Sequence, residues 1–145
     1  MDHVVLGNGL SVAYRTAAGS GATPLVLLHG MGESSASWEP LLDALAGLGS
    51  LVIAPDVRGH GATGRPGLYS FEALRDDVVA FLDALGIERC VLIGHSMGAC
   101  TAAMVAAAHP ERVMRLVLED AVPMRPGSLD DDGLGGAGVG ELVTG

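Results

Sequence analysis

Residues 90–109 read CVLIGHSMGACTAAMVAAAH, and this stretch decides the fold. An apolar run ends in Gly94-His95-Ser96-Met97-Gly98, and an alanine-rich segment follows at once. The pattern is strand, sharp turn, helix, with Ser96 at the apex. The G-x-S-x-G spacing has a mechanical reason. A serine on so tight a turn sits in a strained backbone conformation, and small residues two before and two after it let strand and helix approach closely. The Ser96 hydroxyl then projects above the sheet, and the Met97 amide points to where a developing oxyanion would lie.

Two further blocks share this character. PLVLLHGMGESSASW (24–38) is a buried-strand run ending in His29-Gly30-Met31-Gly32, and LVIAPDVRGHGAT (51–63) is another, ending in Asp56-Val57-Arg58-Gly59-His60-Gly61. In this order and spacing the three blocks resemble the α/β-hydrolase family, of the small-esterase, lipase, peptidase and perhydrolase kind. The resemblance runs from about Leu10 to about Pro123. It implies Ser96 as nucleophile on a nucleophile elbow and an oxyanion hole built from the amides of Met97 and Met31. The Arg58-Gly59-His60-Gly61 block looks like the family's structural turn. Thr63 departs from the serine more usual there.

Composition narrows the classes. The 145 residues suffice for one domain with a real core. Hydrophobic residues make up 49% and aromatics 3%, so that core is mostly Ala, Val and Leu. Eight basic against 17 acidic residues give a net charge of −9. Nucleic acids and anionic membranes both need a basic footprint, so neither is an expected partner. The N-terminus lacks a basic, then apolar, leader pattern, and no apolar run approaches the ~20 residues of a membrane span. Cys90 and Cys100 stand among apolar neighbours and read as small buried hydrophobes. A cytoplasmic location is the resulting expectation.

Along the chain, Val4–Leu6 and Leu10–Thr16 flank Gly7-Asn8-Gly9, which predicts an antiparallel hairpin. Residues 17–23 read as a loop. Leu25–His29 and Leu51–Pro55 are continuous apolar runs, as expected of strands buried on both faces of a parallel sheet. Ser37 is a candidate cap for a helix from Trp38 to about Ala46, with Gly47 as its stop. Ser70 caps the next helix and Gly86 ends it, with Phe71, Leu74, Val78, Leu82 and Leu85 forming its apolar stripe. A third helix runs from Met97 to about His109 and is stopped by Pro110, and Arg115–Glu119 is the last strand. Strands alternating with helices predict an α/β fold: a doubly wound, mostly parallel sheet with an antiparallel N-terminal hairpin. Ligands bind such sheets outside the carboxyl ends of the strands, the edge where Met31, Asp56, Ser96 and Asp120 fall.

From residue 126 the character changes. Seven glycines in 20 residues, with no apolar period, read as a flexible tail after a domain spanning 1–125.

A serine hydroxyl is a poor nucleophile until a base takes its proton, so acyl transfer needs a nucleophile, a histidine oriented by a carboxylate, and an oxyanion hole. By resemblance, Asp120 ends the strand beside the nucleophile strand, where some family members carry the triad acid. A loop-capping aspartate is the rival reading. The family places its histidine after the eighth strand, beyond the sixth reached here. None of the five histidines is a natural substitute, His29 being the nearest by location. The chain therefore reads as a family member truncated after about the sixth strand, or frameshifted, with its base absent. Losing one triad member costs ~10⁴ to 10⁶ in rate. Arg115–Glu119 would then be an exposed apolar edge, open to self-association.

The expected reaction is hydrolysis of an ester, thioester or amide in a small acyl substrate. The serine disfavours dehalogenase and epoxide-hydrolase chemistry, whose family members use aspartate at that position. The alternative is a non-catalytic remnant, or a complementing half acting as a binding module. No cofactor or metal is expected: metal-ligand spacing is missing, Gly94-x-x-x-Gly98 lacks the dinucleotide-binding pattern, and the chain has no lysine for a phosphate loop.

Overall fold

A computed structural model describes residues 1–121. The expected boundary at 125 and the glycine-rich segment at 126–145 lie outside the described residues. Six strands, β1 (Asp2–Val5), β2 (Ser11–Ala17), β3 (Gly21–Leu28), β4 (Ser50–Pro55), β5 (Cys90–His95) and β6 (Val113–Glu119), alternate with helices α1 (Glu39–Ala46), α2 (Phe71–Ala84) and α3 (Met97–Ala108). They form one sheet in the order β1-β2-β4-β3-β5-β6. The β1–β2 hairpin is antiparallel and joins β4 antiparallel, while β4, β3, β5 and β6 run parallel.

Strand alternation sends side chains to two faces. From β3, Val26 and Leu28 pack with Val78, Phe81 and Leu82 of α2 and Ala102 and Val105 of α3. Leu27 goes the other way, to Trp38 and Leu42 beside α1. Helices thus cover both faces, as expected of a doubly wound sheet. Among the described residues no helix is long and apolar enough to cross a membrane.

Local chemistry explains most boundaries. The Ser70 hydroxyl accepts the Ala73 amide at 3.0 Å, closing the first turn of α2. Gly86, at φ 68°, ends it in the left-handed region that glycine tolerates. Two expectations need correction. Ser37 does not cap α1: a 3₁₀ turn at Ser35–Trp38 precedes it, with Ser34 as the cap, accepting the Ala36 amide. The turn forms because the Asp56 carboxylate pins the Ser35 amide at 2.7 Å. The loop expected at residues 17–23 is confined to 18–20. Strand β2 runs through Ala17 and β3 begins at Gly21, whose Cβ position would overlap the backbone of Gly49. The glycine there marks a close backbone approach, with a register shift between Gly21 and Leu25.

Burial also fixes the cysteine chemistry. Cys90 is fully buried, and desolvation pushes its thiol up to about 11, leaving it an inert core residue.

Candidate active site

Ser96 sits at φ 51°, ψ −113°, a conformation costing about 1–3 kcal/mol for a residue with a side chain. Its surroundings hold it there. The Ser96 amide donates to the Glu119 carbonyl of β6 at 2.9 Å, and the Ser96 carbonyl accepts from Cys100 at 3.1 Å. The flanking glycines show why no larger residue fits. A Cβ on Gly94 would overlap the Gly98 carbonyl, and one on Gly98 would overlap the Leu28 carbonyl of β3. Strand and helix meet at backbone contact. Ser96 Oγ makes no hydrogen bond to a described residue.

The Gly30–Glu33 turn lies against this corner. A Cβ on Gly30 would stand 3.1 Å from His95 Nδ1 and 3.2 Å from Glu33 Oε2. Glu33 accepts the Gly30 amide at 3.0 Å and faces His95 Nδ1 at 3.4 Å. That amide bond, with His95 beside it, holds the Glu33 carboxyl below its ordinary range. Sequence reading missed Glu33, although an acid three residues beyond Gly30 is a recognisable turn-closing signal. Met31 is exposed at the top of the turn, while the Met97 side chain is buried against Val57, Phe71 and Leu74. The Met97 amide opens α3, where no earlier helical carbonyl takes it. Asp120, exposed and at φ 50°, directly follows the residue that holds the Ser96 amide.

The other acid at this edge is committed elsewhere. The buried Asp56 carboxylate accepts the Ser35 and Ala62 amides at 2.7 and 2.9 Å. Burial raises its proton affinity, but these amides outweigh that and lower it below the usual value. Asp56 is the clasp between β4 and the two loops beside it.

The histidines are also occupied. His29 donates from Nδ1 to the Gly30 carbonyl at 2.7 Å and accepts the Val57 amide on Nε2 at 3.0 Å. His60 donates from Nδ1 to the Arg58 carbonyl and accepts the Gly32 amide on Nε2 at 3.1 Å. Backbone partners fix both tautomers and leave neither ring a nitrogen for the Ser96 proton. The two ring centroids lie 5.1 Å apart, tilted by 58°, and the rings hold Gly30 and Gly32 of the turn through these bonds. His109 lies past the far end of α3, roughly 18 Å away at 1.5 Å per residue. His3 is on β1, at the opposite edge of the sheet.

One consequence is a pH dependence. Burial first, then the neighbouring His60, holds the His29 imidazole below its ordinary 6.5. The unfolded chain therefore takes up a proton near that value while the folded chain does not, so stability is full above it and falls as pH drops below it. Urea unfolding should show the midpoint declining between about pH 6.5 and 5, before the acids titrate, and His29→Gln should flatten that slope. An unchanged slope in the variant would assign the effect to another group.

The comparisons with known proteins identify the fold. The family described as alpha/beta hydrolase fold matches residues 23–137. A putative non-heme haloperoxidase of Mycobacterium phage D29 is 41% identical over 121 residues, covering 83% of this chain and 43% of that protein. Epoxide hydrolase A of Mycobacterium tuberculosis is 36% identical over 115 residues, covering 77% and 36%. The structure of a meta-cleavage product hydrolase from Pseudomonas fluorescens IP01 superposes with a TM-score of 0.79 at 33% identity, covering 86% of this chain and 46% of that one. The chain thus spans less than half the length of these relatives. The order β1-β2-β4-β3-β5-β6, the serine at the β5–α3 corner and the matched sequence place this chain in the alpha/beta hydrolase fold family.

Proposed function

We propose that this chain is the nucleophile-bearing part of a serine hydrolase that cleaves an ester, thioester or amide through an acyl-enzyme on Ser96. The observation that carries this reading is the Ser96 backbone, held at φ 51° where strand and helix touch. A fold keeps such strain where a side chain must stand clear of the sheet.

The steps follow from acyl-transfer chemistry. Ser96 Oγ attacks the substrate carbonyl carbon and gives up its proton to a base. The carbonyl oxygen becomes an oxyanion, met by the amides of Met97 and Met31. The intermediate collapses, the leaving group departs with a proton, and water then releases the acid by the same route. Asp120 is the proposed acid that would orient a histidine. With His29 and His60 held by backbone groups, His95 facing Glu33, and His3 and His109 distant, the base is supplied from outside this set. The relative that opens epoxides shares the fold. Serine in place of a carboxylate nucleophile favours acyl substrates for this chain. The test is covalent trapping: a fluorophosphonate should add once to the wild type and not to Ser96→Ala, and an adduct on both would reject Ser96 as nucleophile.

A further inference from the structure

Met31 stands between two glycines, Gly30 and Gly32. Space and conformation require both. A Cβ on Gly30 would press on His95 and Glu33, and Gly32 holds φ 76°, in the left-handed region. The consequence is freedom, because peptide planes flanked by glycine rotate more readily than others. An amide that meets an oxyanion has to be aimed beforehand, since reorganisation during the reaction removes part of the stabilisation.

Side chains supply the restraint, one peptide plane after another. The plane before Gly30 carries its N–H, which donates to Glu33 Oε2 at 3.0 Å. The next plane joins Gly30 to Met31. Its carbonyl accepts from His29 Nδ1 at 2.7 Å and from the Glu33 amide at 3.2 Å. A trans peptide sets C=O and N–H in opposite directions, so a carbonyl held at the buried His29 ring turns the Met31 N–H away from that ring. The third plane carries the Gly32 N–H, which donates to His60 Nε2 at 3.1 Å. His60 is fixed in turn by its Nδ1 bond to the Arg58 carbonyl at 3.0 Å. The Met31 plane is thus held by His29 and bounded on either side by Glu33 and His60.

Glu33 has a second contact. The same Oε2 faces His95 Nδ1 at 3.4 Å, and His95 directly precedes Ser96. One carboxylate oxygen therefore registers the turn against the nucleophile corner.

We propose that Glu33 and His60 are positioning residues that aim the Met31 amide at the oxyanion of the Ser96 reaction, an inference that rests on Ser96 being the nucleophile. Two measurements on the full 145-residue chain test it. Backbone NMR reads the turn without reference to chemistry. Glu33→Ala and His60→Leu should each lower the heteronuclear NOE of the Met31 and Gly32 amides. Glu33→Gln and His60→Gln keep an acceptor oxygen within reach and should restore it. Fluorophosphonate labelling in added imidazole reads the consequence. The Ala and Leu variants should lose about tenfold in limiting rate, a part of the ~10²–10³ that deleting an oxyanion donor costs. The half-saturating probe concentration should not change, and the Gln variants should recover the rate. If His60→Leu unfolds, the Glu33 pair decides the matter. Unchanged NOE values in the Ala and Leu variants would overturn the proposal. So would a loss of probe affinity alone, or Gln variants as slow as the deletions, because either would mark a merely structural role. The two possible failures are distinguishable. A wild type that takes no label rejects the nucleophile and this role with it, whereas a labelled wild type with equally fast deletions rejects this role alone.

Discussion

Asp77→Ala should cost about 3–5 kcal/mol of stability, the range for stranding one partner of a buried ion pair. Asp77 receives Arg58 in a bidentate contact, at 2.5 Å from Nε and 2.7 Å from Nη2. Both side chains are nearly buried, at 8% and 9% exposure. Asn8 adds a hydrogen bond to the same carboxylate, and Arg58 Nη1 donates to the Leu68 carbonyl. The cluster therefore ties the β1–β2 turn, the loop after β4 and α2 together. Removing Asp77 leaves a guanidinium with one carbonyl for company. Against a typical total of about 5–15 kcal/mol, that loss is a third or more, and the melting temperature should fall by on the order of 10 °C. Replacing both partners, Arg58→Met with Asp77→Leu, should recover most of it, because no buried charge remains. A loss below about 1 kcal/mol for Asp77→Ala would mean the pair is solvated rather than buried.

Gly98→Ala sets two effects against each other. Helix propensity alone predicts a gain of about 1 kcal/mol, since alanine replaces glycine in α3. Packing predicts a loss at or above the ~3 kcal/mol upper end of ordinary overpacking, because the new methyl meets the Leu28 and His29 carbonyl oxygens. Those are backbone atoms of a buried strand and cannot swing aside, so the loss should win. The displaced helix would also move the Ser96 corner away from the Gly30–Glu33 turn, and reactivity at Ser96 should fall with it. Gly7→Ala is the control: nothing lies within 4 Å of its Cβ position, so it should be neutral or slightly stabilising. Urea midpoints of the two variants decide the matter. Equal midpoints would refute the close approach at Gly98.

Most of the parallel sheet was legible because buried strands announce themselves as apolar runs, and the β5–α3 corner because glycine spacing has one mechanical meaning there. The Arg58–Asp77 clasp was less accessible. Its trace is an acid in the apolar stripe of α2, between Leu74, Val78 and Phe81, where charge has no place without a partner. Residues 19–21 misled for the opposite reason, since glycines pressed against a neighbouring backbone look like a loop. His60 stands in the block read as a structural turn, and the hydrogen bonds of His60 and His29 give both a structural role. In the sequence Asp56 falls at the same strand edge as Ser96 and Asp120. Only the folded chain reveals that the Asp56 carboxylate is spent on loop amides.

The central claim is that Ser96 is a preorganised nucleophile lacking only its base. Intact-mass kinetics of fluorophosphonate labelling, with and without added imidazole, test it most directly. The account predicts slow formation of one adduct on the wild type, faster as imidazole concentration rises, and none on Ser96→Ala under either condition. A folded wild-type chain that stays unlabelled even in imidazole would contradict it.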